Sequence, residues 1–142
     1  MKRPKPATPP LLTSVEAQLY VADVGAASAF FTAKLGFTQT FVDGEPPFYG
    51  HVRRGRARPN LRLVREPVFS GDVRERERLL AASITLATAA HARTLFAEFQ
   101  AAGVRFARGL TDESWDALTF VVADPNGNLI SFASPAGEAT VT

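Results

Sequence analysis

From Ser14 onward the chain alternates: Val15, Ala17, Leu19 and Val21 are interleaved with Glu16, Gln18 and Tyr20. A period of two predicts a strand with two unlike faces. Asp23 then stands where a helix N-cap is expected, Ala27, Phe30, Phe31 and Leu35 fall at helical spacing, and Gly36 marks the stop. Residues 37–42 and 48–53 read as strands joined by an Asp43-Gly44 turn, and 60–65 as a further strand after a break at 54–59. The first half is therefore β-α-β-β-β.

A charged, irregular connector follows at 66–82, with room for a short helix, and then the first pattern returns. Residues 83–87 read as a strand with Ile84 and Leu86 on one face. Thr88 can cap a helix whose apolar stripe is Ala92, Leu95, Phe96, Phe99 and Ala102, and Gly103 stops it. Strands are expected at 104–108, 117–123 and 128–133, the last two joined by an Asp124-Pro125-Asn126-Gly127 turn. Shifting the chain by about 67 residues superposes Glu16 on Ser83, Leu19 on Leu86 and Gly36 on Gly103; at the last strands about 69 superposes Leu61 on Ile130 and Leu63 on Phe132. The chain is an internal repeat of the α+β class, two βαβββ modules with a helix over the convex face of each sheet. Their concave faces are left to enclose a ligand. The expected organisation is a flexible tail at 1–12 carrying Pro4, Pro6, Pro9 and Pro10, and one domain at 13–135. Within that domain module 1 covers 13–65, the connector 66–82 and module 2 83–135, with a C-terminal tail at 136–142.

Composition narrows the function classes. The chain has 142 residues, 46% hydrophobic and 21% charged, as in ordinary soluble globular domains. No apolar run reaches the roughly 20 residues a membrane span needs, and no apolar stretch follows the basic start, so neither a membrane partner nor a secretory leader is expected. There is no cysteine, hence no disulfide, thiol nucleophile or thiolate metal site, and a cytoplasmic protein is the expectation. Sixteen basic residues against fourteen acidic ones give a net charge of +2, a mixed surface and not a nucleic-acid footprint. The cluster Arg53, Arg54, Arg56, Arg58, Arg62 and Arg65 reads as a solvated loop followed by a strand with alternate arginines.

Three segments carry a resemblance. They are Val21-Ala22-Asp23 leading through Phe30-Phe31 to Leu35-Gly36-Phe37; the stretch from Leu95 to Val104 ending in Ala-Gly-Val; and Asp124-Pro125-Asn126-Gly127-Asn128 with the strand that follows it. In this order, inside a βαβββ repeat and with Trp115 before the penultimate strand, the chain resembles the glyoxalase/bleomycin-resistance protein/dioxygenase (vicinal oxygen chelate) superfamily over almost all of 14–134. It is most similar to the metal-less bleomycin-resistance branch. The resemblance implies a cupped mixed sheet and a homodimer, which the long connector would allow to exchange modules. It also implies that metal-dependent members take His and Glu ligands from the first and last strands of each half. Carried over, those positions are Glu16, Arg62, Ser83 and Ser131. Only Glu16 has ligand chemistry, since a guanidinium is permanently cationic and serine hydroxyls are poor donors. His51 and His91 read as packing or surface residues. No metal and no cofactor are expected.

Alternation sets the same inner face elsewhere. Glu16 brings Gln18 and Tyr20; Arg62 brings Asn60 and Val64; Ser83 brings Thr85 and Ala87; Ser131 brings Leu129 and Ala133. Glu16 and Arg62 read either as an ion pair at the vacated metal position or as charged contacts to a ligand. Phe41, Phe48, Tyr49 and Trp115 read either as aromatic walls or as packing, Trp115 standing in the polar loop 111–116. The candidate ligand-binding set is Glu16, Gln18, Phe48, Arg62, Ser83, Trp115 and Ser131. The expected function is metal-independent binding of a small molecule, such as an antibiotic or aromatic metabolite, by sequestration. The slightly basic charge departs from the acidic bleomycin-resistance proteins and favours a neutral or anionic ligand over bleomycin. The alternative is an enzyme of the superfamily (lyase, isomerase or dioxygenase-like), with Glu16 as general base and Arg62 stabilising an oxyanion, or with a metal site that the motif does not reveal.

Overall fold

The computed structural model describes residues 8–66 and 76–137. The Asp23 carboxylate accepts the Ala26 N–H at 2.8 Å and opens helix α1, Val24–Lys34. Thr88 does the same for α2, Ala89–Ala101, accepting the His91 N–H at 3.0 Å. Each helix ends at a glycine in the left-handed region, Gly36 at φ 73° and Gly103 at φ 76°. Beyond Gly36 the Phe37 N–H reaches back to the Phe31 carbonyl, and their rings meet edge to face with centroids 5.2 Å apart.

The strands are β1 (Gln18–Val21), β2 (Thr38–Asp43), β3 (Tyr49–Arg53), β4 (Asn60–Leu63), β5 (Leu80–Thr85), β6 (Phe106–Glu113), β7 (Ala117–Ala123) and β8 (Leu129–Pro135). They form two four-stranded sheets of identical topology, β1-β4-β3-β2 and β5-β8-β7-β6. In each the first strand runs parallel to the fourth and the other pairs are antiparallel. These are the two βαβββ modules that the repeat predicts, and β1 lies against β5 where they meet. The helices cover one face of the sheets and share a continuous core. Phe31, Leu19 and Leu61 are fully buried in the first module, Phe99, Phe120 and Phe132 in the second. Phe120 stacks on Phe132 at 5.0 Å while Phe99 meets both edge to face. No helix among the described residues is long and apolar enough to cross a membrane.

Three expectations about elements change. The ladder of β1 begins only at Gln18, and Val15, expected on the core face, is 98% exposed. The parallel ladder opens with the Asn60 N–H on the Ala17 carbonyl, while the preceding Pro59 turns its carbonyl to the Val52 N–H of β3. Strand β5 starts at Leu80 and stops at Thr85, earlier than 83–87. Strand β6 runs to Glu113, through residues assigned to a loop, because its register with β7 is broken by irregularities that let it bend. Residues 67–75 of the connector, for which a short helix was expected somewhere within 66–82, lie outside the described residues, as do 1–7 and 138–142 of the tails.

Two contacts tie the modules together at their helix ends. Arg54 donates to the Leu35 carbonyl at 2.8 Å and clamps Glu98 of α2 with both terminal nitrogens, one of them 3.0 Å from Glu98 Oε1. Lys34 Nζ donates to the Ala102 carbonyl at 2.8 Å.

Candidate ligand face and cleft

The faces away from the helices form the first candidate region. Registered partners share a face across a sheet, which gives two rows in the first module. Gln18, Asn60 and His51 stand at one level, with Tyr20, Arg62 and Tyr49 at the next. In the second module Ser83, Ser131 and Val121 make one row and Thr85, Ala133 and Thr119 another. The aromatic members cluster: Phe41, Tyr49 and His51 have ring centroids 5.1 to 6.4 Å apart, and His51 Nε2 lies 3.2 Å from the Tyr49 hydroxyl. Phe41 is 45% exposed, so this wall faces open space.

Beside it Asn60 is only 5% exposed, and its Oδ1 has no hydrogen-bond partner among the described residues. A buried acceptor left unmade costs about 1–3 kcal/mol. A ligand N–H or O–H reaching Asn60 would recover that cost. In the second module Glu113 accepts from Arg108 at 2.7 Å and from Thr119 at 2.8 Å, so its carboxylate is already engaged.

The structure revises the repeat. By N-caps, Asp23 corresponds to Thr88, and by core strands Leu19–Leu61 corresponds to Ile84–Phe132. Gln18 and Asn60 are thus the counterparts of Ser83 and Ser131, not Glu16 and Arg62. The equivalent level carries two amides and two hydroxyls. None is an imidazole or carboxylate, so this donor set does not fit the divalent ion of metal-dependent relatives. No group of three or more His, Asp or Glu with metal-site geometry occurs among the described residues.

Nor do Glu16 and Arg62 meet. Glu16 Oε1 pairs with Arg58 Nη2 at 3.1 Å and accepts from Ser14 Oγ at 2.8 Å, while Arg62 Nη1 donates to the Leu63 carbonyl. In the strand register Arg62 aligns with Tyr20, four residues or about 13 Å along from Glu16. Burial, reinforced by Arg58 and partly offset by Glu16, holds the His51 pKa below its ordinary 6.5. The imidazole therefore stays neutral near pH 7.

The remaining candidates separate. Gln18, Arg62 and Ser131 stand on the helix-free face, with Ser131 buried. Phe48, 46% exposed, follows the β2–β3 turn, and Trp115, 64% exposed, lies in the β6–β7 turn. These turns belong to the two outer edges of the paired sheets, so Phe48 and Trp115 do not converge in one chain. Glu16 and Ser83 instead line a cleft of about 930 Å³ beside β5, bounded by α2 and the 54–59 loop. Sequence reasoning did not find this cleft, nor the role of Arg58 and Asn60. Alternation had placed Asn60 on the inner face beside Arg62, but not its unpartnered oxygen.

A family model described as the glyoxalase/bleomycin resistance protein/dioxygenase superfamily matches residues 13–132. The chain belongs to that superfamily. Among solved superfamily-like structures it is similar to the bleomycin-binding protein of Streptomyces verticillus complexed with copper(II)-bleomycin, at 22% identity, covering 90% of this chain and 100% of that one, with a TM-score of 0.64. A glyoxalase/bleomycin resistance protein/dioxygenase from Alicyclobacillus acidocaldarius superposes with a TM-score of 0.70 at 17% identity over 92% and 96% of the two chains. TioX from Micromonospora sp. ML1 does so at 0.65 and 16% over 87% and 98%. A search of curated proteins returns no match. At these identities the likeness to other superfamily members speaks for the fold alone.

Proposed function

We propose that this superfamily member is a metal-independent binding protein that sequesters an aromatic small molecule on its helix-free face. The observation that carries this reading is the half-exposed Phe41–Tyr49–His51 wall beside Asn60, whose buried Oδ1 has no partner among the described residues. A planar ligand stacks on the rings and places a donor on Asn60, while Gln18, Ser83 and Ser131 offer further neutral hydrogen bonds across the seam. A wall of neutral rings with a neutral His51 suits an uncharged aromatic, such as an antibiotic or metabolite, and the net charge of +2 favours an anionic ligand over a cationic one. The likeness in fold to a bleomycin-binding protein supports sequestration as the mode of action. The protein acts as a homodimer in the cytoplasm, and Phe48 and Trp115, apart in one chain, join the site from two copies.

Catalysis with Glu16 as base and Arg62 as oxyanion partner is the weaker reading, because the two are separated and Glu16 is held by Arg58. A thermal-shift screen against planar aromatic drugs and metabolites tests the proposal, since a ligand of the native state raises the melting temperature. Hits are expected to lose their shift in Tyr49→Ala and Asn60→Leu, with metal chelators having no effect. A shift that survives both variants, or that requires an added divalent ion, overturns it.

A further inference from the structure

The two modules repeat each other, but the seam between them does not. At one end the β7–β8 turn closes onto β1: Asn126 Oδ1 accepts the Ala22 N–H at 2.9 Å, and Asn128 Nδ2 donates to the Tyr20 carbonyl at 3.0 Å. The corresponding β3–β4 loop, 54–59, faces the equivalent end of β5. There it carries arginines and a glycine in place of the two asparagines, and no hydrogen bond joins it to Thr85 or Ala87 among the described residues. The cleft occupies this gap. It is walled by α2 on the helix side of the sheet, and of the residues proposed above for the ligand face Ser83 alone also lines it.

Its chemistry is specific. The Leu86 N–H bonds the Ala133 carbonyl of β8, so Thr85 turns its own N–H and C=O to the free edge, into the cleft. The floor is apolar, with Ile84, Leu86, Leu95 and Phe132 contributing. Five charged side chains surround it, and four are already matched: Arg54 with Glu98 and Arg58 with Glu16. Among the described residues Arg56 is left as the unmatched cation at the rim, beside Gly55, around which there is open space. A positive charge without a partner among the described residues, edge amides and an apolar floor complement one kind of molecule.

We propose that this cleft binds an amphipathic monoanion, a medium- or long-chain monocarboxylate, with its acid group at Arg56 and its chain along Ile84, Leu86 and Leu95. The volume suits it, falling in the range of about 300–1,000 Å³ usual for small-molecule sites.

Isothermal titration of the full chain with dodecanoate, below its micelle concentration, tests the assignment. Dodecanol and dodecyltrimethylammonium serve as neutral and cationic controls. One saturable site per chain is expected, with Arg56→Glu weakening it about tenfold or more, as for loss of a charge-assisted contact. Thr94→Trp, which fills the cleft from the exposed face of α2, is expected to abolish binding while leaving the melting temperature close to that of the parent. Tyr49→Ala, on the opposite side of the sheet, is expected to leave dodecanoate binding unchanged, so this site and the aromatic face fail or stand separately. Equal binding of the cationic and anionic amphiphiles, indifference to Arg56→Glu, or exclusion of dodecanoate by a second copy of the chain overturns the proposal.

Discussion

Asn128 is 3% exposed and sits at the end of the β7–β8 turn, where its side-chain nitrogen serves two oxygens at once: the Tyr20 carbonyl of module 1 at 3.0 Å and Asp124 Oδ2 at 2.8 Å. Its backbone N–H separately holds Asp124 Oδ1 at 2.7 Å. Asn128→Ala removes the side-chain pair and keeps the backbone bond. A neutral hydrogen bond is worth about 0.5–1.5 kcal/mol and one to a carboxylate about 1.5–3 kcal/mol, so the variant is expected to lose about 2–4.5 kcal/mol. That is a large part of the 5–15 kcal/mol typical of a domain. Asn128→Asp should cost more, since it sets a second carboxylate against Asp124 and points an acceptor at a carbonyl. Urea titrations followed by circular dichroism provide the measure, with an unchanged slope showing that the native and denatured states keep their extents. A loss below about 1 kcal/mol for Asn128→Ala would refute the idea that this turn bonds the modules together.

Other expectations follow from the same geometry. Phe99→Ala, which empties a fully buried ring site against Phe120 and Phe132, should cost about 3–5 kcal/mol in the same titration. Gly36→Ala should destabilise through a positive φ and through a Cβ that would stand 2.7 Å from Arg54 Nη1, so its double variant with Glu98→Gln should lose less than the sum of the singles. His51 is a base whose folded pKa is depressed. Between that pKa and 6.5 the unfolded chain binds more protons, so stability rises with pH across this window and is lost on acidification. Melting temperatures from pH 7.5 to 5.0 should show a slope that His51→Gln reduces, and equal slopes would count against the burial of that ring.

The modules, caps and helix stops were legible because each rests on local rules: Asp23 and Thr88 before apolar stripes, Gly36 and Gly103 after them. The face assignments were legible too, as strand alternation is insensitive to where a strand starts. The position along the strands was not. Matching Gly36 to Gly103 carries Glu16 onto Ser83, but α2 has 13 residues and α1 only 11, so the strands before them correspond two residues further on. A shift of two preserves the face and changes the residue, which put Glu16 at the carried-over metal position where Gln18 stands. The partner of Glu16 was hidden for a related reason: Arg58 lies in a loop, where sequence spacing carries no register. The orphaned oxygen of Asn60 and the open end of β5 depend on what fails to approach them, and no local pattern encodes that.

The half-free strand β5 has a consequence for exchange with solvent. On one side Leu86 is tied to β8, and on the other Thr85 presents its amide to an open cleft. Neighbouring amides in one strand should therefore exchange deuterium at different rates, the Leu86 amide only through larger openings of the sheet and the Thr85 amide far more readily. Occupation of the cleft would slow the second and leave the first nearly unchanged, making β5 a two-channel reporter that needs no label.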